Sequence, residues 1–217
     1  MKVGVLGTGM VGRALATKLV ELEHEVTMGS RSAEGGALQE WVDGTGGKGA
    51  GGTFADAASA GELLFNCTAG GASLDALEAA GAGNLEGKVL VDVANPLDFS
   101  GGMPPTLSVC NDDSLGERIQ AAFPKARVVK SLNTINARVM VDPGRVPGSH
   151  NVFVCGNDEG AKAEVATLLQ AFGWPAEAIT DLGDISAARG TEMYLPLWLR
   201  LMGALGGPDF NIEVRAA

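Results

Sequence analysis

Short apolar runs alternate along this chain with stretches in which apolar residues recur every three or four positions. Strands are expected at Lys2–Leu6 and at residues 25–28, 51–54, 63–67, 88–93, 127–132 and 151–155. Helical spacing falls at residues 11–23, 36–42, 72–80, 114–122 and 159–172. The run Val89-Leu90-Val91-Asp92-Val93 is almost continuously apolar, as strands covered on both faces are. Strand and helix in turn imply βαβ units, and so an α/β fold with a doubly wound, mainly parallel sheet.

Two regions break this rhythm. The glycine-rich stretch 44–52 reads as a loop between the second helix and the third strand. After about residue 156 the pattern changes, which divides the chain into 1–156 and a small C-terminal α/β lobe at 157–217. In that lobe residues 184–205 read as one helix that is apolar nearly all round, capped by Asp184 and kinked or split at Pro196. A helix apolar on every face needs cover on every face, and so small a lobe cannot supply it alone. The sheet, a ligand or a second copy must, and a homodimer is expected.

Composition narrows the function. The 217 residues are 46% hydrophobic and carry a formal net charge of -10. Such a field repels phosphate backbones and anionic membranes, so neither nucleic acid nor membrane is an expected partner. An anionic ligand must be held by local groups. Cys67, Cys110 and Cys155 are too dispersed for a CxxC site, and with His24 and His150 they give no local metal set. They read as reduced thiols, and with no leader pattern at the start the expected location is cytoplasmic.

The strongest local signal is Gly7-Thr8-Gly9-Met10-Val11-Gly12, a GxGxxG turn between the first strand and the first helix. Gly7 permits the tight turn, Gly9 lets the backbone approach a pyrophosphate, and Gly12 lets helix and strand pack closely. The free N–H groups at Met10 and Val11 would meet that pyrophosphate. The fold is therefore of Rossmann type with a dinucleotide as ligand. At the end of the second strand, an acidic residue would favour NAD by binding both ribose hydroxyls. This chain has Ser30-Arg31-Ser32, two hydroxyls and a guanidinium suited to a phosphate, which favours NADP(H).

Other strand ends face the same crevice: Thr68 and Ala69, Asn95 and Pro96, and Asn133 are candidates for the ribose and nicotinamide. Asn95 before Pro96 fits a turn equally well. Catalytic machinery is scarce. Tyr194 is the sole tyrosine and has no lysine four residues on, His24 reads as a surface turn, and His150 reads as structural. Hydride exchange with a second redox cofactor needs little more than two stacked rings. Reduction of a small imine or carbonyl, or non-enzymatic NADP(H) sensing, are the alternatives.

Five segments carry a family resemblance: the glycine turn, Gly-Ser-Arg-Ser at 29–32, Val-Asp-Val-Ala-Asn-Pro at 91–96, Val-Val-Lys-Ser-Leu-Asn-Thr-Ile at 128–135, and Asp-Leu-Gly-Asp-Ile-Ser-Ala-Ala-Arg-Gly-Thr-Glu at 181–192. In order and spacing the chain resembles the coenzyme F420-dependent NADP oxidoreductases and the related cytoplasmic domains of transmembrane metalloreductases. The resemblance implies NADPH binding by Thr8, Gly9, Met10, Val11, Ser30 and Arg31. It also implies a deazaflavin (coenzyme F420) or flavin as hydride partner, in a cleft between the sheet and the C-terminal lobe. Arg138, Arg145 and Arg189 are possible contacts for a charged tail, and Arg189 is spaced to pair with Glu192 on one helix face.

Overall fold

A computed structural model of the chain describes residues 1–216. The strands are β1 (Lys2–Leu6), β2 (Glu25–Ser30), β3 (Gly49–Thr53), β4 (Leu63–Asn66), β5 (Val89–Asp92), β6 (Leu97–Asp98), β7 (Thr106–Leu107), β8 (Arg127–Ser131), β9 (Val152–Gly156) and β10 (Ile179–Asp181). The helices are α1 (Met10–Glu21), α2 (Gly36–Gly44), α3 (Phe54–Ala60), α4 (Ser73–Ala80), α5 (Ala82–Leu85), α6 (Leu115–Ala122), α7 (Ala137–Val141), α8 (Glu159–Ala171), α9 (Ala188–Met193) and α10 (Leu195–Leu205). Eight strands form one sheet in the order β10-β9-β8-β5-β4-β1-β2-β3, and β6 pairs with β7 beside it. From β3 to β8 every pairing is parallel. β9 runs antiparallel to β8, and β10 is parallel to β9.

Alternation within the central strands fills two cores. Val3, Val5, Leu63, Phe65, Val89 and Val91 face α1, α2, α7 and α8. Leu6, Leu64, Leu90 and Val128 face α3, α4 and α6. This is the doubly wound α/β architecture expected. β10, which follows residue 156, continues the same sheet, and α8 packs on its face.

The structure corrects two local readings. The stretch 44–52 is not all loop, because its last residues are edge strand β3, paired with β2 from Val26↔Gly49 to Ser30↔Thr53. Glycine is needed there: a Cβ on Gly49 would sit 2.4 Å from the Trp41 ring. Backbone pairing holds this strand, so its sequence pattern marks only the second half, residues 51–53. Phe54 does not end the strand but opens α3, with Thr53 as N-cap. Asp56 N–H donates to the Thr53 hydroxyl, and Thr53 N–H donates to the Asp56 carboxylate at 2.8 Å. Thr53→Ala should cost about 1 kcal/mol in a denaturant titration by leaving an α3 N–H uncapped. The expected cap at Asp184 and split near Pro196 are both present: residues 184–205 divide into a short 3₁₀ turn, α9 and α10, with Pro196 in the first turn of α10. Pro is accepted there because that N–H has no helical partner.

Candidate functional site

The parallel strands end along one edge of the sheet, and the connections that leave them build the crevice. Between β1 and α1, Gly7 lies at φ 120°, where a Cβ would fall 2.7 Å from the Cys67 carbonyl oxygen. A Cβ on Gly12 would fall 2.0 Å from the Gly7 carbonyl oxygen. Gly9 is different: it is exposed, is the extended N-cap of α1, and would meet nothing within 4 Å. No side chain caps α1, so its first N–H groups have no side-chain acceptor. The turn is tied to its neighbours by Gly7 N–H to Gly29 O (2.9 Å) and by Arg13 Nε to Thr8 O (2.9 Å).

These contacts give the three glycines separable roles. Gly9→Val should leave the melting temperature near wild type while weakening a pyrophosphate-bearing ligand roughly tenfold or more. Gly12→Val should lower stability itself, since the added atoms meet backbone. Thermal melts and nucleotide titrations of both variants check the split.

β2 extends two residues beyond the sequence expectation, so Ser30 closes it and Arg31 and Ser32 follow directly. The Ser30 hydroxyl donates to the Ser32 carbonyl at 2.5 Å, which folds the segment into a tight turn. Arg31 is exposed and takes part in no ion pair among the described residues. No carboxylate stands at residues 28–33. The open α1 N-terminus, with a free guanidinium and two hydroxyls beside it, fits a dinucleotide carrying an extra phosphate.

At the next strand ends, Val11, Thr68, Ala69 and Asn95 line one cleft of about 200 Å³ together with Cys67, Val93, Leu97 and Phe99. Asn133 lies beneath that cleft, not in its wall. It is buried and exchanges two hydrogen bonds with Asn95: Asn95 Nδ2 to Asn133 O (2.8 Å) and Asn133 Nδ2 to Asn95 Oδ1 (3.0 Å). Pro96 is buried behind it. A cavity of about 460 Å³ lies further along the molecule, walled by Pro143, Pro147, His150 and Pro175, and none of the expected site residues borders it. His150 is structural there: Nε2 pairs with Pro143 O at 3.1 Å and the ring packs edge-on against Trp174.

Under the cleft is a set of charged residues that the sequence reading overlooked. Asn66, Asp92 and Lys130 occupy one row across β4, β5 and β8. Lys130 is fully buried and donates to Asp92 Oδ2 (2.7 Å) and the Ala94 carbonyl (2.5 Å), and it pairs with Glu192 Oε1 (2.7 Å). Glu192 also accepts the first N–H groups of α6, from Leu115 (2.8 Å) and Gly116 (3.1 Å). Burial works against a charged Lys130, but Asp92 and Glu192 outweigh it and hold the ammonium above its usual range. Burial pushes the Glu192 carboxyl up, with Lys130 opposing. Arg189 does not pair with Glu192, which is buried against Lys130. Its guanidinium grips Glu117 instead, at 2.8 and 2.6 Å, and that hydrogen bonding holds the Glu117 carboxyl below its usual range.

The signal was in the sequence. Each of three apolar runs ends on one polar residue, Asn66, Asp92 and Lys130, at the same relative position. Cys67 and Cys155 add no nucleophile: burial and the Asp92 charge push the Cys67 thiol up, and burial takes Cys155 to about 12.

Residues 2–96 match the family described as NADP oxidoreductase, coenzyme F420-dependent. A crystal structure from Arthrobacter sp. FB24, of a protein named as a candidate F420-dependent NADP reductase, is 55% identical over 100% of both chains with a TM-score of 0.94. The metalloreductase STEAP3 of Rattus norvegicus is 32% identical over 205 residues, covering 91% of this chain and 38% of that protein. The chain thus spans about two-fifths of the length of the curated relatives it matches. A reductive aminase from Aspergillus terreus in complex with NADPH shares the fold at 20% identity, with a TM-score of 0.65 over 94% of this chain and 62% of that one. Among the described residues, no helix is long and apolar enough to cross a membrane.

Proposed function

The chain belongs to the family of coenzyme F420-dependent NADP oxidoreductases, and from that premise we propose that it passes hydride between NADP(H) and a deazaflavin or flavin. Gly7, Thr8, Gly9, Met10, Val11 and Gly12 would hold the pyrophosphate, and Ser30, Arg31 and Ser32 the ribose phosphate. Thr68, Ala69 and Asn95 would place the nicotinamide, with Pro96 and Asn133 setting the position of Asn95. The bound cofactor supplies a hydride donor carbon, and a ring that stabilises its own added charge accepts from it. The residues' task is to bind, orient and exclude water from the cleft.

The observation that carries this reading is the composition of the cleft. Its sole ionisable lining group is Cys67, whose thiol is held protonated and so gives no ready acid. Carbonyl or imine reduction needs a positioned proton donor, whereas a deazaflavin or flavin can take its proton from solvent. Mixing the protein with NADPH and coenzyme F420, FMN, FAD or a ferric chelate, and following both absorbances, tests the assignment. Oxidation with F420 or a flavin is expected, and none above background with any of them would overturn it.

The segment from residue 157 onward is proposed to complete the acceptor side and to contact a second copy. Of α10 only Leu195 is buried, while Leu197 and Leu205 are 55% and 63% exposed. Buried Tyr194 OH and Trp198 Nε1 find no hydrogen-bond partner, so this arm lacks both apolar and polar cover. A dimer is expected in sedimentation, and Leu197→Glu should shift it to monomer.

A further inference from the structure

Thr68 is held in one hydrogen-bonding polarity by the buried charges beneath it. Asp92, paired with Lys130 through Oδ2, offers Oδ1 as an acceptor, so the Asn66 amide must turn Nδ2 towards it (2.8 Å). The other Asn66 N–H goes to Ser73 Oγ (3.1 Å). Asn66 Oδ1 therefore faces Thr68, where it accepts both the hydroxyl proton (2.7 Å) and the backbone N–H (3.3 Å). Ser73 has an acceptor lone pair occupied by Asn66, so its own proton points to Thr68 Oγ1 (3.0 Å) or to Ala69 O (3.3 Å).

The one hydroxyl proton of Thr68 is spoken for. Of its two lone pairs at most one is taken by Ser73, which leaves an acceptor at the cleft. The walls around it, Val11, Val93, Leu97 and Phe99, are apolar, and the amide of Asn95 in the same lining is engaged with Asn133. Such a site suits a flat ring bearing one outward N–H better than a sugar with several hydroxyls. We propose that Thr68 Oγ1 accepts a hydrogen bond from the nicotinamide carboxamide N–H, and that Asn66, Asp92 and Lys130 are positioning residues that fix this polarity. The inference rests on the NADP(H) reading above.

The test compares NADPH with reduced 3-acetylpyridine adenine dinucleotide phosphate, in which a methyl group replaces the carboxamide nitrogen, by fluorescence titration without any acceptor. Wild type should bind NADPH more tightly, by roughly three- to tenfold, as one neutral hydrogen bond allows. Thr68→Val should lose that margin on NADPH and leave the acetyl analogue unchanged, and Thr68→Ser should behave as wild type. Equal weakening of both nucleotides by Thr68→Val, or a serine variant as weak as the valine one, would overturn the proposal. So would a wild type that binds the two nucleotides alike, a readout that stands even if the valine variant fails to fold. Wild type that binds neither would instead overturn the NADP(H) reading, and the proposal with it.

Discussion

Lys130→Met is expected to lower the free energy of unfolding by about 3–5 kcal/mol, the usual loss when one partner of a buried ion pair is removed. The methionine fills most of the lysine's volume, so packing contributes little of this. The cost arises because Asp92 and Glu192, both at the sheet–α6 junction, are left buried with no cation between them. Adding Asp92→Asn and Glu192→Gln to Lys130→Met should recover most of the loss, since neutral amides still hydrogen-bond there. The pH dependence has a definite sign. Burial already raises the Glu192 carboxyl, and removal of Lys130 raises it further. A carboxyl whose folded value lies above its unfolded value favours folding below the unfolded value and loses that contribution as pH rises. The variant's deficit should therefore be largest at neutral pH and shrink towards the ordinary carboxylate range. Urea titrations at several pH values measure this directly.

Arg31→Ala is expected to weaken NADPH binding about ten- to hundredfold and to leave NADH nearly unchanged. The two cofactors differ only at the ribose phosphate, and charge-assisted hydrogen bonds of ~1.5–3 kcal/mol account for that range. Arg31 is exposed and unpaired among the described residues, so its guanidinium can turn to a ligand without breaking an internal bond. The same exposure makes the wild-type preference shrink as salt is added. Titration of both nucleotides against wild type and variant at two ionic strengths is the check. Equal losses for NADH and NADPH would remove Arg31 from the phosphate.

Legibility in the sequence followed the physics of each element. The β1–α1 turn was readable because its glycines answer to backbone crowding that can be named in advance: Gly7 and Gly12 sit against main chain, and Gly9 faces space. The parallel strands were readable as apolar runs. β3 was readable only over residues 51–53, since Gly49-Ala50-Gly51-Gly52 has no apolar pattern, and α3, whose signal is the Thr53–Asp56 cap, was not. β10 has only three residues and is held by pairing with β9.

The buried charges show the limit most clearly. Asp92, Lys130 and Glu192 stood inside three of the segments that marked the family. Their meeting, however, depends on strand register and on where α9 docks, and neither is local to any segment. Arg189 and Glu192 illustrate the reverse error. Three residues apart on a short helix, they read as partners, but each pairs with another element, Glu117 on α6 and Lys130 on β8.

The central claim, direct hydride transfer, is tested by NADPH carrying deuterium on the transferring face of its nicotinamide ring, mixed with oxidised coenzyme F420 and the protein. The reduced deazaflavin should carry one deuterium on ring carbon per turnover, read by mass spectrometry, because a carbon–deuterium bond does not exchange with water. Reduced deazaflavin free of deuterium with either face labelled would contradict it.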